Sequence, residues 1–215
     1  MTTSRSLTPA VAVMVVWLGA AAAAGAAGVF QTGPDDPPVA VGVVAAGPPL
    51  LVVGLLVWSG SFRNWARGLD LRLLTMLQSW RIAGFSLLAL LGVGALPAGF
   101  ALPAGVGDVI VGLTAPAVAV AVVGRSRWAF YGWTFFGIAD LVVAVTLGVL
   151  HSSGPIGLLA DPGVGTEVMG VMPMSLIPTF GVPLTLVLHI ISLANASWVP
   201  AWRAPSGLLV TGARP

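Results

Sequence analysis

The stretch Arg127-Trp-Ala-Phe-Tyr-Gly-Trp-Thr-Phe-Phe-Gly-Ile-Ala-Asp140-Leu-Val-Val-Ala-Val-Thr-Leu-Gly-Val-Leu150 decides the fold. From Trp128 to Leu150 it contains one charged residue, Asp140. At 1.5 Å per residue a helix of that length covers roughly the 30 Å of a bilayer's hydrocarbon core. Outward from it, five more apolar runs reach the same length, near 8–30, 38–59, 73–96, 104–123 and 174–198. The expected fold is an all-α, polytopic transmembrane bundle of six spans in a single integral membrane domain, residues 1–215.

The charges between the runs test that count. Arg5 precedes the first span, and Asp35 and Asp36 follow it. Arg63, Arg67 and Arg72 lie between the second and third, and Arg125 and Arg127 between the fourth and fifth. Asp161 and Glu167 lie between the fifth and sixth, and Arg203 and Arg214 close the chain. Every loop Arg falls on one side and every loop acid except Asp70 on the other, so the positive-inside rule places both termini in the cytoplasm. A rival reading takes Arg5, the first apolar run and the small residues Gly19–Gly28 as a cleaved signal peptide. The run is long for that, and keeping it preserves the alternation. Its Ala/Gly face suits close approach of a neighbouring helix.

Composition agrees. The chain is 57% hydrophobic and 7% charged, with a mean hydropathy of +1.00, far from the quarter or so of charged residues in a soluble domain. It has no Cys, which excludes disulfides, thiolate metal sites and cysteine nucleophiles. It has no Lys either, which excludes Schiff-base chemistry. Its Arg residues are scattered over short loops, so the high pI does not imply nucleic-acid binding. Segment 60–72, with Phe62, Trp65 and three Arg, reads as a basic loop anchored in the interface. The Gly- and Pro-rich connection 151–174 is long for a compact bundle and reads as a lid, a partner surface or a loose loop. The repeated Leu-Pro-Ala-Gly at 96–99 and 102–105 marks a turn.

Four ionisable residues fall inside the spans: Arg81, Asp108, Asp140 and His189. Each costs about 2.5–3.5 kcal/mol at a helix centre on insertion scales, which marks them as functional candidates. Counted along their helices, Arg81, Asp140 and His189 share one layer near the midplane, and Asp108 lies one turn from the outer side. Arginine keeps its charge, so it needs a carboxylate partner. The expected pair is Arg81 with Asp140, joined by His189; a buried ion pair that only fixes helix register is the competing explanation. Gln78, three residues before Arg81, shares its helix face, as Ser192 does that of His189. Pro48-Pro49, Pro116, Pro178 and Pro183 fall within spans and are expected to break their helices, as in transporters with midplane sites, while Pro103 stands at the opening of the fourth span and Pro173 at that of the sixth.

The segments Gln78-Ser-Trp80-Arg81-Ile-Ala-Gly84, Pro103-Ala-Gly-Val-Gly-Asp108-Val-Ile-Val-Gly112-Leu-Thr-Ala-Pro116, Gly137-Ile-Ala-Asp140 and Leu176-Ile-Pro178-Thr-Phe-Gly-Val-Pro183 with His189 resemble a widespread family of uncharacterised bacterial multi-pass membrane proteins. The resemblance implies a bacterial cytoplasmic membrane and brings no activity with it.

Three functions fit these residues. In a small proton-linked transporter or channel, Asp108, Asp140 and His189 titrate, and Arg81 is the counter-ion or an anion contact. In a haem b or quinone redox protein, His189 is an axial ligand. The only other His, His151, lies too far along the membrane normal to be the second ligand in the same chain. In an accessory or structural subunit, the polar residues meet a partner or lipid headgroups. No enzyme motif singles itself out. The expected partners are the bilayer, a small solute or proton, and further copies of the chain.

Overall fold

The structure, a computed structural model, describes residues 4–33, 36–153, 155–160, 163–197 and 202. Asp35, Asp161, Arg203 and Arg214, used above for topology, lie outside the described residues. Among those residues the chain forms seven helices and no strand. Six are long and apolar enough to cross a membrane.

Helix α1 is Ser4–Ala26 and α2 is Val39–Trp58. The expected break at Pro48-Pro49 does not occur, and α2 runs through both. Proline's fixed φ is itself helical, so the helix continues with two hydrogen bonds fewer. The carbonyls of Val44 and Ala45 are thereby left without their i+4 donors.

Segment 60–72 is more ordered than a loop. Residues Gly60–Arg67 form a short helix, α3, whose first turn is capped by Ser59 Oγ accepting from the Phe62 N–H at 3.2 Å. Arg63 Nη1 reaches back to the carbonyls of Leu56 and Val57 at 3.0 and 2.6 Å, satisfying acceptors that the end of α2 would otherwise leave open. Asp70, the acid that departs from the loop charge pattern, is an N-cap. Its Oδ1 accepts from the Arg72 N–H at 2.8 Å at the start of α4.

Helix α4 covers Leu71–Gly92. It is α-helical to Met76, 3₁₀ over Leu77–Gly84, and α-helical again over Phe85–Gly92. Helix α5 is Ala98–Val122, beginning six residues earlier than the sequence suggests. Pro103 lies inside it, and the turn after Pro116, Val118–Val122, is a π-helix. Helix α6, Arg127–Leu150, is regular throughout. Helix α7, Ile177–Ala196, opens with a π-turn at Pro178 and is α-helical from Val182. Pro173 precedes it.

Many large apolar side chains of the spans are exposed, among them Val16, Leu50, Leu51, Leu113 and Val142. That is what a surface solvated by lipid requires. The buried apolar residues form three clusters. One, with Leu87, Leu96, Phe100 and Met169, lies at the end opposite the loop arginines. The other two, around Phe130 with Leu71 and around Leu74 with Leu188, lie at the basic end. Between them is a polar layer.

Candidate functional site

A 3₁₀ helix has three residues per turn, so side chains three apart line up in a straight row. Over Leu77–Gly84 that row is Gln78, Arg81 and Gly84, and all three are buried. An α-helix would rotate each successive member about 60° away from the last. The row faces α5, α6 and α7.

Arg81 is the hub. Its Nε donates to Asp108 Oδ1 at 2.6 Å, and its Nη2 donates to Asp140 Oδ2. Its Nη1 donates to the Gly137 carbonyl at 3.1 Å and lies 3.4 Å from His189 Nε2. Arginine carries only donors, so the last contact requires Nε2 as the acceptor and the ring proton at Nδ1. One guanidinium thus ties together α4, α5, α6 and α7, and Arg81 is only 3% exposed.

Such close convergence depends on the absence of side chains. A Cβ on Gly137 would stand 2.5 Å from His189 Nε2 and 3.2 Å from Arg81 Nη1. A Cβ on Gly107 would overlap the Asp140 carboxylate. On Gly112 it would strike the backbone of Arg81 and Ile82, and on Gly84 it would come within 2.5 Å of Asp108 Cβ. These glycines seat α5 and α6 against the 3₁₀ segment, the close-packing mode of small residues in membranes.

A second set of polar groups steadies the hub. Trp133 and His189 meet edge to face, centroids 5.6 Å apart, while Trp133 Nε1 donates to Thr114 Oγ1 at 2.9 Å. Gln78 Nε2 donates to the Thr185 carbonyl at 3.1 Å. Gln78 Oε1 and Thr134 Oγ1 are buried without a partner.

Two cavities adjoin the hub. The smaller, about 30 Å³, touches Arg81, Asp108 and Trp80. The larger, about 100 Å³, runs from Thr32, Ser152, Thr166 and Glu167 at the acidic end down to Asp108. A single water needs on the order of 10–15 Å³ of such space, so the larger has room for several. Leu87, Asp108, Ile177 and Val182 line both, and Asp108 is the one polar residue among them. At the mouth, partial burial works to raise the pKa of Glu167, but hydrogen bonds from the Ser153 O–H and N–H, at 2.5 and 2.7 Å, outweigh it. The carboxyl is held below the usual carboxylate range.

The structure brings Arg81, Asp140 and His189 together as their depths suggest, with Gln78 one turn along the same row. It differs on Asp108, which joins the same cluster instead of lying above it. Because α5 begins at Ala98, Asp108 is ten residues in, about 15 Å. Sequence reasoning missed Trp133, Thr185 and the role of the glycines; Gly84, Gly107, Gly112 and Gly137 all lie within the four characteristic segments quoted above.

The histidines do not fit a haem. His189 Nε2 is confined between Gly137 and the Arg81 guanidinium, and the ring is 1% exposed. His151 packs its Nε2 against Gly99, while its Nδ1 lies 2.9 Å from the Leu147 carbonyl. Neither ring leaves room for a porphyrin at Nε2. Among the described residues, no three of His, Cys, Asp and Glu are grouped to hold a metal ion.

Neither curated proteins nor solved structures give a significant match to the chain. Residues 38–196, which include α2 to α7 and every residue of the hub, match the model of a domain of unknown function, DUF8737, and the chain belongs to that family.

Proposed function

We propose that the chain is a small proton-linked transporter of the bacterial cytoplasmic membrane, with Asp108 as the group that binds the proton. The observation that carries this reading is a charge imbalance. Asp108 and Asp140 face one guanidinium, and His189 meets that guanidinium as a neutral acceptor. With both carboxylates ionised, the layer holds one surplus negative charge. Burying an uncompensated ion costs several kcal/mol, so the site favours one further positive charge. An ion pair serving only helix register has no use for a second acid.

Asp108 is the better placed of the two acids. It lines both cavities, while Asp140 lines neither. A route from the acidic end therefore reaches Asp108 first. The basic end is closed by the apolar clusters around Phe130 and Leu188. A bundle open at one end, with a titratable group at the blind end, suits one state of an alternating-access cycle.

Infrared titration of the reconstituted protein tests the proton site. We expect a protonated-carboxyl band that forms reversibly as the pH falls and disappears in Asp108→Asn. A band unaltered by Asp108→Asn would overturn the assignment. Vesicles with an imposed pH gradient test the coupling: solute uptake should follow the gradient in the wild type and be lost in Asp108→Asn.

A further inference from the structure

Most polar groups that line the larger cavity offer acceptors, with the Thr32 hydroxyl at the acidic end able to donate as well. Its two charged residues, Asp108 and Glu167, are both acids. The Thr166 hydroxyl donates to the Gly148 carbonyl at 2.7 Å, and the Ser152 hydroxyl donates to the Val149 carbonyl at 2.7 Å. Each oxygen therefore has only lone pairs left to offer the cavity. Ser153, beside the mouth, directs its N–H and O–H at Glu167. Ala45 of α2 lines the same wall. The rest of the surface is apolar, including Phe30, Phe100 and Met169. The nearest fixed cation, Arg81, lies behind Asp108 with its donors directed at Asp108 of α5, Gly137 and Asp140 of α6 and His189 of α7.

A chamber dominated by acceptors and carboxylates repels anions and gives a neutral alcohol no charge to set against Asp108. It suits a ligand with N–H donors, a positive charge and a short apolar body. We infer that this cavity binds a small monovalent organic ammonium ion, which pairs with Asp108 in competition with the proton. The inference rests on the proton-linked reading and names its substrate class. The charge count is the same for either occupant: Asp108 faces Arg81 from α4, with Asp140 on α6 and His189 on α7 around the same guanidinium. One added positive charge neutralises that set, so proton and ammonium exclude each other. The Glu167 carboxylate at the mouth draws the cation in.

The test uses the full chain in lipid nanodiscs, with n-butylammonium, butyrate and n-butanol as probes, followed by calorimetry and by proton release in weak buffer. Butylammonium should bind once per chain. Below the midpoint of the Asp108 infrared band, each bound cation should release one proton, and affinity should rise about tenfold per pH unit. Asp108→Asn should abolish binding. Glu167→Gln, a change in the outer loop that leaves the hub intact, should weaken it severalfold. Butyrate or butanol binding as tightly as butylammonium would overturn the substrate class. So would the absence of ammonium binding by a wild type whose Asp108 band titrates normally, and there the proton site would survive. A band that does not titrate removes the proton reading, and this inference with it.

Discussion

Arg81 makes contacts that no other side chain can reproduce. Its Nε bonds to α5, its Nη2 to α6, and its Nη1 to α6 while also meeting His189 of α7. Lysine has the charge but only one nitrogen, so Arg81→Lys should lose most of the folded protein, read by size exclusion in detergent. Arg81→Met leaves two carboxylates uncompensated and should cost about 3–5 kcal/mol. The triple variant Arg81→Met/Asp108→Asn/Asp140→Asn removes the charges together and should be more stable than Arg81→Met alone, read as a higher Tm. The opposite order would show that the charges do not act as one set. Gly137→Ala should destabilise by about 1–3 kcal/mol through overpacking, whereas Gly132→Ala, on the same helix with open space at its Cβ, should be silent. At this scale the charged members of the site were legible from sequence because each is costly in lipid. Asp108's place was not, because its depth depends on where α5 begins. Pro103 looks like a boundary but lies within the helix.

At the scale of elements, only some breaks follow prolines, as the π-turns after Pro116 and at Pro178 do. Pro48-Pro49 leaves α2 intact. Helix α4, with no proline between Leu71 and Gly92, changes to 3₁₀ where the site is built. The 3₁₀ segment coincides with a close neighbour: Gly105 and Gly112 of α5 approach the backbone of Gly84, Arg81 and Ile82. A local reading of α4 has no access to that neighbour. Segment 60–72 was legible as basic and interfacial, but its helicity rests on groups distant in sequence. Asn195 Nδ2 donates to the carbonyls of Ala66 and Leu69 at 3.2 and 2.6 Å. Asn195→Leu should therefore free the end of α3, seen as faster amide exchange over residues 60–69 with the hub unchanged. Asp70→Ala should cost about 1 kcal/mol by removing the α4 cap. If stability were unchanged, the acid would be mere loop charge, and its place among the arginines would again lack an explanation.

For the whole molecule, orientation gives the cavity its meaning. The larger cavity opens at the end carrying Glu167, and the apolar clusters close the end carrying Arg63, Arg67, Arg72, Arg125 and Arg127. If the positive-inside rule holds, the described conformation faces outward, and Asp108 meets the proton and its competitor from outside. The absence of cysteine makes this directly measurable. A single cysteine introduced as Asn64→Cys lies on the exposed surface of α3, and one as Ala160→Cys lies exposed in the connection after α6. In intact spheroplasts a membrane-impermeant maleimide should label Ala160→Cys and spare Asn64→Cys; after lysis it should label both. The reverse pattern would turn the cavity toward the cytoplasm. The charge count at Arg81 would stand, but Asp108 would then load its proton from the inside, and the direction of any exchange would invert. Labelling of both sites before lysis would mean an even number of crossings between α3 and residue 160, contradicting the three crossings by α4, α5 and α6.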